Sequence, residues 1–202
     1  MLIGVSLGPG DPGLLTLKAV ETLRRCTKIY VPGELAWELA RPYCQPELLN
    51  FPMIEEQEKL EEVWAKNADQ VADYARSGDV AFACLGDVNT FSTFTHLKRL
   101  IEVRHPEVEV QSIPGVGVVP ALAARFGVGL DRTFLVSDGS PLETVIRIKA
   151  VRPREMAREL EGQGYQEFIL GSKLCSPEEE IVTGEMPEKS HYFSVLYARR
   201  NR

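Results

Sequence analysis

Apolar strand-like runs and amphipathic helical stretches alternate from residue 2 to residue 113, and this alternation leaves the chain few folds to choose from. Residues 2–7 read as a strand. Residues 14–26 place Leu15, Ala19 and Leu23 at helical spacing. A short buried strand at 28–31 is stopped by Pro32-Gly33, and a helix of a turn or two at 36–43 leads to a strand at 48–51. The long stretch 55–77 puts Leu60, Val63, Trp64, Ala68, Val71 and Tyr74 on one helical face and ends at Gly78. Strand 79–85, helix 91–104 and strand 108–113 complete the series. Strands separated by helices pair in parallel, so the pattern predicts a mostly parallel sheet with helices on both faces. Such sheets receive ligands outside the carboxyl ends of their strands. Three glycine-containing segments, 8–13, 86–90 and 114–117, fall at those ends.

The texture changes near residue 130. Segments 133–137, 144–151, 167–172, 180–183 and 191–198 are strand-like, with one clear helix at 154–162 among them. Short connections between strands predict a mixed or antiparallel sheet. The expected architecture is therefore α/β with two domains: an N-terminal α/β domain over 1–128 and a smaller C-terminal α+β domain over 129–202. No long linker separates them, which predicts close packing and a cleft.

The net charge of −6 disfavours sequence-independent nucleic-acid binding, which needs basic surface. No apolar run is long enough for a membrane span, and no basic segment precedes the first apolar stretch, so a cytoplasmic location is expected. Cys26, Cys44, Cys84 and Cys175 show no C-x-x-C spacing, and His96, His105 and His191 are scattered. Neither set suggests a metal site, and the cysteines read as small buried hydrophobes.

Gly8, Gly10 and Gly13 satisfy the literal G-x-G-x-x-G string of dinucleotide-binding folds. The chemistry of the loop argues against that use. Asp11 would repel a phosphate at the helix start, and Pro9 and Pro12 remove N–H donors. Asp11-Pro12 fits a helix N-cap followed by its first residue. Glu34 stands near where a ribose-binding acid would fall, but Pro32-Gly33 precedes it. The second loop, Leu85-Gly86-Asp87-Val88-Asn89-Thr90, offers a carboxylate suited to an amine or to ribose hydroxyls. The same residues serve equally well as turn formers, with Asp87 or Thr90 capping the next helix. The third loop, Pro114-Gly115-Val116-Gly117-Val118, is a tight turn that lets backbone approach a ligand, or a bare turn.

Taken in order, these three loops resemble those of the tetrapyrrole methylase family, the class III S-adenosylmethionine (SAM)-dependent methyltransferases. The resemblance covers nearly the whole chain. It implies two α/β domains, SAM in the cleft between them and a homodimer. Ile29-Tyr30-Val31-Pro32-Gly33, Asn89-Thr90-Phe91-Ser92-Thr93-Phe94 and His191-Tyr192-Phe193-Ser194-Val195-Leu196 are similar to the branch of corrinoid synthesis that methylates C-20 of precorrin-2 or cobalt-precorrin-2. Carried over residue by residue, the resemblance implies SAM contacts at Pro9, Leu85, Gly86, Asp87, Thr90, Gly117 and Val118, with Ile148 and Leu174 packing around the adenine. Val88 stands where most of the family has proline, and the stretch between Gly127 and Thr144 looks shorter than in typical relatives.

The implied reaction is an in-line methyl transfer to the C-20 meso carbon, and no Ser-His-Asp or paired-carboxylate constellation is evident. The carbon must then lose a proton to water, to a tyrosine such as Tyr30, or to a substrate group. The densest basic run, Arg147, Lys149, Arg152, Arg154 and Arg158, is a candidate rim for the substrate carboxylates, with Arg147 and Lys149 as binding residues. A solvated strand and helix face is the alternative. On residues 146–149 the alternation predicts the basic pair opposite the apolar pair Ile146 and Ile148. Sister activities on a protein (diphthamide-type) or ribosomal RNA, and a non-catalytic SAM-binding protein, are the competing functions.

Overall fold

The computed structural model describes residues 1–51 and 57–200. By its internal contacts the chain divides into two compact units, Met1–Arg132 and Thr133–Arg202.

The first unit is built on five parallel strands in the order β3-β2-β4-β1-β5: β1 (Leu2–Ser6), β2 (Lys28–Val31), β3 (Glu47–Leu48), β4 (Val80–Cys84) and β5 (Val110–Ile113). Side chains alternate across this sheet. Leu2, Val80, Phe82 and Cys84 pack on one face against helices α3 (Gln57–Ala75) and α4 (Thr93–Arg104). Ile3, Val5, Ala81 and Ala83 pack on the other against α1 (Leu17–Arg25) and α2 (Glu34–Ala40). Covering both faces makes both sets apolar, which is why these strands read as continuous hydrophobic runs. Gly4 interrupts β1 for a packing reason: a Cβ there would lie 2.4 Å from the Phe94 ring of α4.

Two local expectations are corrected. The helix expected from residue 14 begins at Leu17. Asp11 caps only a single 3-10 turn, Pro12–Leu14, by accepting from the Gly13 N–H at 2.8 Å, and Thr16 caps α1 by accepting from the Ala19 N–H at 3.1 Å. A second capping residue five positions later restarts the chain as a true helix. The expected strand at 133–137 is absent: residues 128–143 form neither helix nor strand. Phe134, Leu135 and Val136 are exposed there, so their β propensity has no neighbouring edge to act on. The expected start of α3 at residues 55 and 56 lies outside the described residues.

The last helix of the first unit, α5 (Val118–Phe126), is apolar yet buries none of its residues. In the second unit, β6 (Thr144–Ile148), β7 (Glu167–Ser172), β8 (Glu180–Thr183) and β9 (Ser194–Arg199) form an antiparallel sheet in the order β6-β9-β7-β8. Leu170, Leu196 and Ala198 pack with Ala157 and Leu160 of α6 (Pro153–Glu161) on one face. Three serines, Ser172, Ser190 and Ser194, close a ring of hydroxyl hydrogen bonds at 2.7–2.8 Å that joins β7 and β9 to the segment before β9. Among the described residues no helix is long and apolar enough to cross a membrane, and no three His, Cys, Asp or Glu side chains are grouped to hold a metal.

Candidate functional site

The strand order places β4, β1 and β5 side by side, so the loops that follow them meet at one sheet edge. Their meeting point is a small polar knot. The Ser6 hydroxyl, at the carboxyl end of β1, donates to the Ile113 carbonyl of β5 at 2.8 Å and accepts from the Val88 N–H at 3.0 Å. One oxygen of Asp87 accepts from the Gly115 N–H at 3.0 Å and lies 3.5 Å from the Ser6 hydroxyl. The other accepts from the Asn89 N–H at 2.9 Å and the Thr90 hydroxyl at 3.2 Å. Gly8 and Gly86 exchange backbone bonds at 2.7 and 3.2 Å, fastening the first loop to the second. Asp87, half-buried, thus ties its own loop to the loop after β5 and to the end of β1, while the Gly8–Gly86 pair fastens the first loop. A carboxylate offers about four acceptor positions, and three are filled by good donors. It acts here through loop shape and through its negative charge.

Pro9, Leu85, Gly86, Asp87, Thr90, Gly117 and Val118 all belong to this edge. Gly117 stands next to Asp87: a Cβ added to it would lie 3.8 Å from the Asp87 Cβ. It precedes α5 with no side-chain cap, which leaves the first N–H groups of that helix for other acceptors. Ser6 was not singled out in the sequence. The available signal was a hydroxyl in an otherwise apolar strand, placed at the strand's carboxyl end.

In the second unit, Ile148, Lys149 and Leu174 line one pocket of about 770 Å³, with Lys173, Tyr192 and Phe193. The expected partition of residues 146–149 holds for Arg147 and fails at Lys149. Ile146 and Ile148 are exposed, and Arg147 points to the other face of β6, where it pairs with Glu159 of α6 at 2.9 Å. Lys149 adopts a left-handed backbone (φ 56°), which breaks the alternation and puts its ammonium 5.4 Å from the centre of the Tyr192 ring. Two more of the basic run are neutralised locally: Arg152 pairs with Glu155, and Arg154 with Glu185 and Glu188. The sequence reading missed Lys173, which lines the same pocket as Lys149 and pairs with Glu178. Tyr30 is corrected as well. It is fully buried in the core, its hydroxyl accepts from Gln70 at 3.1 Å, and burial pushes its phenol up. It has no route to a substrate proton.

A family model for tetrapyrrole (corrin/porphyrin) methylases matches residues 1–189. The chain belongs to this family. It is a SAM-dependent methyltransferase. A probable cobalt-precorrin-2 C(20)-methyltransferase of Methanocaldococcus jannaschii is 30% identical to it, over 92% of this chain and 87% of that one. A diphthine methyl ester synthase of Neurospora crassa is 21% identical, over 91% of this chain and 67% of that one. Among solved structures, the methyltransferase CobJ shares the fold, with a TM-score of 0.52 and 19% identity over 98% of this chain and 93% of that one.

The loop chemistry fits this methyl donor. Segments 8–13, 85–90 and 114–118 carry acids, amides and backbone but no Lys, Arg or His. An edge without cations suits a ligand bearing a sulfonium and an ammonium, and not one bearing phosphates. Because the knot holds the edge together, breaking it should cost binding and stability together. In Asp87→Ala the donors of Gly115, Asn89 and Thr90 lose their acceptor. In Gly115→Ala the new Cβ would lie 2.4 Å from the Ser6 Cβ. Each should weaken SAM binding about tenfold or more by isothermal titration and lower the melting temperature by a few degrees, about 2–4 °C for each kcal/mol lost. Unchanged SAM affinity in both would refute the knot as the organiser of the donor site.

Proposed function

We propose that this methyltransferase adds a methyl group to the C-20 meso carbon of precorrin-2 or its cobalt form. The observation that carries the reading is the 30% identity, across 92% of the chain, to the relative named for that reaction. In this reading Pro9, Leu85, Gly86, Asp87, Thr90, Gly117 and Val118 hold SAM, and Ile148 and Leu174 offer apolar surface to its adenine. The bound donor supplies an electrophilic methyl on sulfur. The chain's own contribution is to position an electron-rich carbon in line with it, which can supply much of the rate without a catalytic base of unusual strength. The Asp87 carboxylate places a negative charge beside the cationic donor, and the open N–H groups at the start of α5 suit the donor's carboxylate. Any cobalt in the reaction belongs to the substrate.

The diphthine synthase relative, 21% identical over 91% of this chain, supports a second reading in which a protein side chain is methylated. Incubating the enzyme with SAM and enzymatically generated precorrin-2 or cobalt-precorrin-2 separates the two. One added methyl by mass, with a shift in the visible spectrum, is the expected result. Transfer to neither form removes the tetrapyrrole reading.

The structure divides the two proposed carboxylate-binding residues, and the proposal narrows to Lys149. Lys149→Glu should raise KM for the macrocycle several-fold and leave SAM affinity alone. Arg147→Glu, on the opposite face, should leave KM unchanged; equal effects of the two substitutions would contradict the assignment.

We also propose that the chain works as a homodimer. The support is α5, whose Leu122 and Phe126 are left exposed on an apolar helix. Sedimentation equilibrium should give twice the monomer mass, and Phe126→Glu should reduce it to one; a monomeric native protein excludes the dimer.

A further inference from the structure

Backbone strain marks an aromatic side chain that the donor loops do not use. Among the described residues, four other than glycine adopt left-handed backbone: Phe91, Lys149, Lys173 and Cys175. Lys149 and Lys173 line the pocket of the second unit, and Cys175 follows Leu174 of the same pocket. Strained backbone gathers at ligand sites because only surrounding structure selected for function sustains it. Phe91, at φ 48°, is the one such residue among the described residues of the first unit. A bulky side chain there is a true outlier.

Phe91 lines a separate pocket of about 480 Å³, formed where β2 meets α2, where β4 ends and where α4 begins. Its ring is 66% exposed. Leu35, across the pocket on α2, is 70% exposed, and Leu85, of the second donor loop, is 40% exposed. Pro32 and Ala36 add further apolar wall. Cys84 is buried at the same place, and burial pushes its thiol up to about 11, so it contributes a neutral surface and no nucleophile. Glu34 is the one charged side chain among those lining the pocket. Three large apolar side chains, two from the β4–α4 connection and one from α2, therefore surround a space with no cation. Such a surface takes an uncharged, flat face and leaves carboxylates to be bound elsewhere. Leu85 belongs both to this pocket and to the donor loop, so whatever sits here is adjacent to the methyl donor's edge.

We propose that Phe91 is a specificity-determining residue: its ring, held out by the left-handed backbone, stacks on the face of the tetrapyrrole where one edge of the macrocycle enters this pocket. The inference rests on the tetrapyrrole reading of the function. A ring stacked on a conjugated face contributes beyond the area it covers, and a macrocycle offers a far larger face than any single protein side chain. The strain is then the cost of presenting the ring.

The test uses the full-length protein and the air-stable oxidised form of precorrin-2, titrated by fluorescence quenching, so that binding is read without turnover. Phe91→Gly should weaken macrocycle binding about tenfold, a change of about 1.4 kcal/mol. It should leave SAM affinity unchanged and raise the melting temperature, because glycine adopts this backbone without strain. Phe91→Trp should retain macrocycle binding. Equal macrocycle affinity for Phe91→Gly and the unsubstituted protein overturns the proposal, and so does an unsubstituted protein that does not bind the macrocycle. Failure of the functional reading looks different: the unsubstituted protein binds the macrocycle with a Phe91-dependent affinity but transfers no methyl to its reduced form.

Discussion

The carboxylate of Asp87 is the point on which the sheet edge depends. A strand edge that must hold a ligand has a conflicting requirement: its loops need open backbone groups, yet loops with open groups drift. Here one side chain joins two of the loops to the end of β1, and the Gly8–Gly86 bridge fastens the first loop beside them. Asp87 takes the N–H of Gly115 from the loop after β5, orders its own loop through Asn89 and Thr90, and lies beside Ser6 at the end of β1. Hydrogen bonds to a charged acceptor are stronger than those between neutral groups. The core below supplies the second support. Phe82 and Phe94 pack on one face of the sheet and Val5 and Leu23 on the other, so the strand ends from which the loops emerge are fixed.

Much of this fold was legible because burial on both faces of a parallel sheet writes itself as apolar runs. The strand at 28–31 coincides with β2 of that sheet, and the shorter runs at 167–172 and 180–183 coincide with β7 and β8 of the antiparallel sheet. The edge containing the loops was legible too, since helices between strands force parallel pairing. Errors arose where local propensity had no tertiary partner or had a competitor. Phe134, Leu135 and Val136 favour a strand, but no edge is there to pair with them. Asp11 is a good cap, but Thr16 is the one that starts the helix.

At the site, residue positions were more legible than residue roles. The sequence pointed to Asp87, but only the structure shows its oxygens engaged by the neighbouring loops. It also pointed to a basic rim, and most of that rim is paired with its own glutamates. Strand alternation failed at Lys149 because a left-handed residue ends the period of two. Charge that is distant in sequence, such as Glu159 opposite Arg147, cannot be read from the run of cations itself.

Val88 stands where the family resemblance implies proline, and here its backbone carries a proton. That N–H is bonded to the buried hydroxyl of Ser6, at the centre of the knot. A proline would have stiffened the loop through its ring and would have offered nothing to exchange. This chain instead has an amide there whose protection against solvent hydrogen depends on the knot staying closed, as does that of Gly115. Separation of the loops would therefore be recorded, on the timescale of hydrogen exchange, at these backbone positions.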